Sequence, residues 1–458
     1  MSSTTIAPDQ RFTGFDEARP DRRQLKIMFV SGMGFFTDAY DLFVIGIAVS
    51  ILKTQWDLST TQVSLLSSTT LAASAVGAIV FGRIADIFGR KKMYGYEVLI
   101  LAIGAVASAF APSIGWLIAF RIVLGIGIGG DYPVSATIMA EYAGKRSRGK
   151  MVGLVFAMQA AGLVVGPLLA VILLAAGVSH DLTWRLLLGF GAIPGLAVFW
   201  LRRRISETPR FSVAASGELQ PRDDLSLRHR QSIAQGFIEL VTNPRLRRWL
   251  IGAAVSWCAL DFAYYGNTIA SPEIIKLLSP HASLIHSTLI TLLIFVLAAV
   301  PGYFVAIATI ERLGRRGIQG LGFVLMAAMY GLIGAVPGVT TTASVFVVLF
   351  GISYFFTEFG PNTTTFIYPA EIFPTDVRTS GHGIAAALGK MGAFAGTYLF
   401  PQMLSSWGIR GAEGVAAGVA VVGLAATVLL LPEPKGRTLE EIEASARLPS
   451  PVLVTVPA

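Results

Sequence analysis

Apolar runs long enough to cross a bilayer repeat along this chain, separated by short polar breaks. Uncharged stretches fill 58–82, 98–120, 151–180, 277–310 and 317–357, the last long enough for parts of two helices joined near Pro337 and Gly338. Runs with one or two charges fill 27–52, 115–140, 184–201, 248–270, 344–370, 381–403 and 411–431. About 20 apolar residues make a membrane-spanning helix. The pattern therefore predicts an all-α membrane protein of twelve transmembrane helices, six on each side of a polar stretch at 204–246. The implied division is a tail at 1–26, a six-helix bundle at 27–203, a linker at 204–246, a second bundle at 247–431 and a tail at 432–458. Within the polar parts, Ser232 to Val241 reads as a surface helix and Glu440, Glu441 and Glu443 as a short exposed one, both in solvated connectors.

Composition agrees with this reading. Of 458 residues, 53% are hydrophobic and 14% charged, against about 25% charged in soluble domains. A net charge of +8 in a soluble protein would raise nucleic-acid binding, but here the cations gather in alternate loops. Arg22, Arg23 and Lys26, then Arg83 with Arg90 to Lys92, Lys145 to Lys150, Arg202 to Arg204 with Arg245 to Arg248, Arg312 to Arg316, and Lys435 with Arg437 mark one face. The positive-inside rule makes that face and both termini cytoplasmic, in the cell inner (plasma) membrane, with the lipid bilayer as the chain's surroundings and no nucleic acid as partner. The first 26 residues lack the apolar core and cleavage site of a signal peptide. The single cysteine, Cys258, excludes an internal disulfide.

Two short repeats support the division. Asp86-Ile-Phe-Gly-Arg90 recurs as Glu311-Arg-Leu-Gly-Arg315, and Ala140-Glu141 with Arg148 recurs as Ala370-Glu371 with Arg378, at offsets of 225 and 230 residues. Parallel six-helix repeats build one large class of transporters, with the substrate site between the halves near the midplane. Asp86, Gly89 and Arg90, with Glu141 and Arg148, are expected to act as a charge latch where helices meet the cytoplasm, holding in one state and releasing in the other. The loop 82–92 resembles the loop signature of the major facilitator superfamily, and a plain basic anchor would not require Asp86 or Gly89.

Charge inside the spans carries the candidate chemistry. One ionised side chain near a span's centre costs about 2.5–3.5 kcal/mol on insertion scales, which makes Asp131 a functional candidate by default. The glycine run 125–130 before it lies inside an apolar span rather than after a strand, so it reads as helix packing and not as a dinucleotide loop. Asp38 and Asp41 share one face of the first span; Trp257, Asp261 and Tyr265 form a stripe in the seventh; Gln159, Asn362 and Lys390 add polar groups from the fifth, tenth and eleventh. Each alone has a structural explanation, but together they predict a polar cavity. Asp38, Asp41, Glu97, Asp131, Asp261 and Glu358 outnumber Arg121 and Lys390 in the spans, which fits proton coupling. Excess carboxylate disfavours an ordinary anion. Dihydrogen phosphate resolves the conflict, because its hydroxyls can donate to a carboxylate such as Asp261 while Lys390 answers its other oxygens. Fully ionised sulfate has no such donor.

Four strings carry a family resemblance: Gly32-Met-Gly-Phe-Phe-Thr-Asp-Ala-Tyr-Asp-Leu-Phe43, Met93-Tyr-Gly-Tyr-Glu97, Gly127-Ile-Gly-Gly-Asp-Tyr-Pro-Val-Ser135 and Gly360-Pro-Asn-Thr-Thr-Thr365. They resemble the phosphate:proton symporters of the major facilitator superfamily, over about residues 25–443. The resemblance implies that Tyr132, Gln159, Trp257, Asp261, Tyr265 and Asn362 line a phosphate site with Lys390 nearby. It also implies that Asp38, Asp41, Glu97 and Asp131 belong to a proton route. The central loop is shorter than in fungal members, and Ser206-Glu-Thr-Pro-Arg210 replaces the more usual Pro-Glu-Ser-Pro-Arg, which points to a bacterial member.

The reading is therefore a twelve-helix, two-bundle proton symporter importing inorganic phosphate, with no cofactor or obligatory protein partner implied. The alternatives are the same fold carrying an organic anion or phosphate ester, and a phosphate sensor without net transport. An enzyme is disfavoured, because His180, His229, His281 and His286 fall in loops or near span ends and no metal-ligand spacing occurs.

Overall fold

The computed structural model describes residues 16–17, 20–205, 207–208, 238–279, 281 and 283–447. The N-terminal bundle is built from α1 (Arg22–Gln55), α2 (Thr60–Phe88), α3 (Arg90–Ala109), α4 (Ile114–Tyr142), α5 (Arg148–Ala175) and α6 (His180–Arg202). The C-terminal bundle begins with α7 (Pro244–Leu278) and continues through α8 (Leu284–Leu313), α9 (Arg315–Ala335) and α10 (Ala343–Ile372). A last helical stretch, Arg378–Leu430, breaks at Gly408 into α11 (378–407) and α12 (409–430). Among the described residues this makes twelve long helices in two bundles of six, and no strand.

Local chemistry sets many of these boundaries. At the start of α1, Asp21 accepts from the Gln24 backbone at 2.7 Å while Gln24 Oε1 accepts from the Asp21 N–H at 3.0 Å, a reciprocal cap. Ser59 and Gln62 repeat the device at α2. Gly89 and Gly314, at φ of 98° and 82°, turn the chain between α2 and α3 and between α8 and α9. Each is a left-handed position that favours glycine, and the two lie one repeat apart.

The spans differ from the hydropathy pattern in two places. The third ends at Ala109, ahead of Pro112 and Ser113, rather than running to 120. The seventh continues to Leu278 through Pro272, well past 270, and Pro272, Glu273 and Lys276 of this extension line a cavity rather than a lipid-facing surface.

Of the expected surface helix at 232–241, residues 232–237 lie outside the described residues, and 238–242 are helical. The tail helix exists as α13 (Leu439–Arg447), but it is not a solvated connector. Leu439, Ile442 and Ala446 are buried, and Arg447 pairs with Glu239, Glu443 and Asp376. Burial pushes the Asp376 carboxyl above its usual range, with Arg447 opposing. An amphipathic turn that caps the basic face is buried on its apolar side, which charge content alone did not reveal.

Packing inside the N-terminal bundle depends on close approach of α2 and α4. A Cβ on Gly129 would stand 1.9 Å from the Ser74 carbonyl oxygen, so the backbones touch where a side chain would sit. Gly129→Val is expected to destabilise the protein by about 1–3 kcal/mol through overpacking. Thermal unfolding of the detergent-purified protein reads this as a lowered midpoint, whereas Gly115→Val on the same helix, which meets nothing within 4 Å, leaves it unchanged.

Candidate substrate site

α7 and α11 lie so close that a Cβ on Gly392 or Gly396 would come within 2.2 and 2.1 Å of the Cys258 and Phe262 carbonyl oxygens. That contact sets Lys390 against Asp261. The ammonium donates to Asp261 Oδ2 at 3.1 Å and to the Tyr265 hydroxyl at 2.8 Å, and lies 4.4 Å from the ring centroids of both Tyr132 and Tyr265. Tyr132 reaches across from the N-terminal bundle, its hydroxyl 3.4 Å from that of Tyr265. Trp257 lies 6.1 Å from the Tyr132 ring, centroid to centroid, and meets His382 edge-on. His382 itself is buried, with Nε2 3.1 Å from the Phe366 carbonyl oxygen.

A second polar group borders the first. Tyr303 donates to Gln159 Oε1 at 2.6 Å, and the Asn362 amide donates to Gln159 Oε1 at 3.3 Å, to the Tyr303 hydroxyl at 2.9 Å and to Glu358 Oε2. α5, α8 and α10 thus meet through an amide–phenol–amide knot. Tyr303 escaped sequence reading because a tyrosine in an apolar span looks like core. Phe35, Phe156 and Phe366 close around Tyr132, with Phe156 and Phe366 stacked at 4.6 Å. All seven expected substrate residues are buried; none exceeds 3% exposure.

The four expected proton-route carboxylates divide in two. Asp131 and Glu97 share one guanidinium, Arg202, at 2.8 and 2.9 Å, and Ser135 Oγ donates to Asp131 at 2.5 Å. Sequence reading placed Arg202 in the basic loop with Arg203 and Arg204, which are exposed. The structure corrects this: Arg202 turns inward from the end of α6, lies over the Tyr94 ring at 4.3 Å and is buried with its partners. Asp38 and Asp41, by contrast, make no ion pair among the described residues, and Asp38 Oδ2 and both Asp41 oxygens have no hydrogen-bond partner. The electrostatic neighbours of Asp38 are Asp131, Arg202, Asp41 and Lys390, so it stands between the arginine cluster and the Lys390 site. Arg121 donates to the Asp41 carbonyl oxygen at 2.7 Å and to Thr70 at 3.0 Å rather than to the Asp41 carboxylate. Glu413 of α12 was not anticipated; it is buried and accepts from Asn267 at 3.4 Å.

On the basic face the latch residues form two clusters. Asp86, Arg90 and Glu141 are joined at 3.2 Å each, and Arg378 of the C-terminal half adds a 3.2 Å bond to Glu141. Ser380 donates to Asp86 from its backbone and its hydroxyl, both at 2.6 Å. In the other half Glu311, Arg315 and Glu371 are joined at 2.7 and 2.8 Å, and Arg148 of the N-terminal half adds a 3.2 Å bond to Glu371. Each bundle lends one arginine to the other's cluster. Of the departing string at 206–210, Ser206, Pro209 and Arg210 lie outside the described residues, while Thr208 Oγ1 donates to Glu141 at 2.5 Å.

The opposite face is open. A cavity of about 620 Å³ lies between the halves, lined by Gly46, Lys53, Ser67, Gly266, Glu273 and Thr397 among others, and its floor reaches the residue next to Tyr265. Across its mouth Lys53 and Glu273 pair at 3.0 Å, both partly exposed.

Two six-helix bundles around a sealed polar centre, latched on one face and open on the other, define a transporter of the major facilitator type. The fold agrees with that of a bacterial proton:xylose symporter, XylE of E. coli, at a TM-score of 0.76 and 21% identity over 92% of this chain and 98% of the other. The chain belongs to the sugar (and other) transporter family, whose pattern it matches over residues 27–446. Its relatives include the repressible high-affinity phosphate permease of Neurospora crassa, 31% identical over 91% of this chain and 86% of the relative. They also include the low affinity inorganic phosphate transporter 1 of Petunia hybrida, 33% identical over 94% and 95%. A third is the inorganic phosphate transporter 1-1 of Oryza sativa subsp. japonica, 33% identical over 93% and 95%.

Arg202→Leu leaves Asp131 and Glu97 facing each other without a cation, and removing one partner of a buried pair costs about 3–5 kcal/mol. Thermal unfolding in detergent is expected to show that loss for the single variant. Most of it returns when Asp131→Asn and Glu97→Gln are added, because no buried charge is then left unanswered.

Proposed function

We propose that this membrane transporter imports inorganic phosphate together with protons by alternating access. The observation that carries the reading is the Asp261–Lys390 pair, ringed by Tyr132, Trp257 and Tyr265, with the Gln159–Tyr303–Asn362 knot beside it. A lysine answers the charge of dihydrogen phosphate, the carboxylate accepts from its hydroxyl, and phenols and amides serve its remaining oxygens. The relatives named as phosphate transporters support the same substrate.

In this reading the chain divides into bundles at 27–203 and 247–431, with the 204–246 linker and both tails on the cytoplasmic face of the plasma membrane. Phosphate reaches Lys390 through the outer cavity. Asp38 and Asp41, whose carboxylates have unpartnered oxygens, take a proton, and Asp131 and Glu97 pass it on in competition with Arg202. A neutral acid removes the cost of unpaired charge in the bilayer, so the loaded carrier rocks inward as the Glu141 and Glu371 clusters part. Loss of the proton to the cytoplasm then weakens phosphate binding. One proton per dihydrogen phosphate makes the cycle electroneutral; each further proton adds about 2.3 kcal/mol per 100 mV.

Purified protein in vesicles is expected to accumulate radiolabelled phosphate under an inward proton gradient. Sulfate should not compete, and Asp261→Asn should lower uptake at least tenfold. Gradient-driven uptake that glycerol phosphate or an organic anion displaces more effectively than phosphate would move the substrate to that class. Binding of phosphate without gradient-driven uptake would make the protein a sensor.

A further inference from the structure

Glu358 is a carboxylate the proposed route does not use. It is fully buried in α10, and among the described residues no lysine or arginine pairs with it. Oε2 accepts from the Asn362 amide, while Oε1 has no hydrogen-bond partner. Its titratable neighbours are Asp261 and Tyr264 on α7, Tyr303 on α8 and Tyr330 on α9, none of them a cation. The site's lysine, Lys390, is already held by Asp261 at 3.1 Å.

The surrounding backbone has no slack. α10 widens into a π turn over Glu358–Asn362, interrupted at Gly360, so Glu358 and Asn362 are the two ends of one irregular turn. A Cβ on Gly302 of α8 would stand 2.9 Å from that of Glu358, and one on Gly360 would stand 2.4 Å from the Gly322 Cα of α9. The backbone at Glu358 thus packs directly on α8 and that at Gly360 on α9, with the carboxyl buried beside them. π turns of this kind recur at functional sites.

We infer that Glu358 is a second proton-carrying group of the transport cycle, loaded from the outer side together with the substrate and unloaded to the cytoplasm. The inference rests on the phosphate reading above. Dihydrogen phosphate brings a negative charge to Asn362, one side chain away from the Glu358 carboxylate. Ionised Glu358, with which no lysine or arginine pairs among the described residues, then repels the substrate, whereas the neutral acid does not. Phosphate and this proton consequently favour each other's binding by the same factor, as linkage requires. In each turnover a proton from outside joins the Glu358 carboxylate and leaves on the inner side, while the phosphate keeps its own two. With the proton carried at Asp38 or Asp41, two protons accompany each dihydrogen phosphate and one net positive charge enters.

The test uses the full chain in vesicles, with proton flux and phosphate uptake measured together at a clamped potential, and Glu358→Gln and Glu358→Asp compared with the unmodified protein. The unmodified protein is expected to carry two protons per phosphate, and 100 mV, negative inside, to raise its accumulation ratio about fiftyfold. Glu358→Gln keeps the shape of the neutral acid but cannot release a proton. It should retain phosphate exchange, carry one proton fewer per phosphate and lose the response to potential, while Glu358→Asp keeps both. An unchanged ratio and response in Glu358→Gln overturn the inference. So does loss of exchange in both variants, which marks the position as structural; loss in the glutamine variant alone upholds the need for an ionisable group. Absence of phosphate movement by the unmodified protein defeats the phosphate reading itself, and this inference with it.

Discussion

Arg202 holds Asp131 and Glu97 inside the N-terminal bundle, and the rule it obeys governs the whole molecule. Charge in a medium without water must be answered by opposite charge or removed by a proton. Asp261 has Lys390, Glu141 has Arg90 and Arg378, and Glu371 has Arg315 and Arg148. Among the described residues, the buried carboxylates that make no ion pair are Asp38, Asp41, Glu358 and Glu413, each with an oxygen that has no hydrogen-bond partner. In the proposed symport these are the groups whose charge no permanent partner fixes.

The two halves use the same rule to communicate. The latch clusters are related by the sequence repeat, and each is completed by an arginine from the other half. Parting the bundles on that face therefore exposes two incomplete clusters at once, with Glu141 losing Arg378 and Glu371 losing Arg148. The cost is shared between equivalent sites, which makes the closed face behave as a unit. On the open face an ion bridge between the halves, Lys53 to Glu273, is partly exposed, and pairs of that kind contribute about 0–1 kcal/mol. The cavity opens on the face with the weak exposed pair, opposite the buried clusters.

The substrate centre depends on backbone contacts more than on the polar residues themselves. Lys390 reaches Asp261 because glycines let α11 lie directly on α7, and Asn362 reaches Gln159 and Tyr303 because α10 opens into a wider turn at Glu358–Asn362. Each of these irregularities puts a polar group where a regular helix would present a hydrocarbon side chain.

The twelve long helices and the basic loops were legible because hydrophobic length and loop charge act one segment at a time. The buried polar residues of the candidate site were legible too, since polar groups in apolar spans are few. The pairing of charges was not. Arg202 reads as the first of three loop arginines, and only the packing of α6 on α1 and α3 turns it inward while Arg203 and Arg204 stay exposed. Tyr303, Glu413 and the docked face of α13 were hidden for the same reason: a residue's own segment does not say which helix will cover it. Sequence alone determined which side chains had to enter the membrane, because the free energy of transfer is local. Tertiary structure decided which of them are neutralised by a partner and which are left without one, because that depends on distances between helices far apart in the chain.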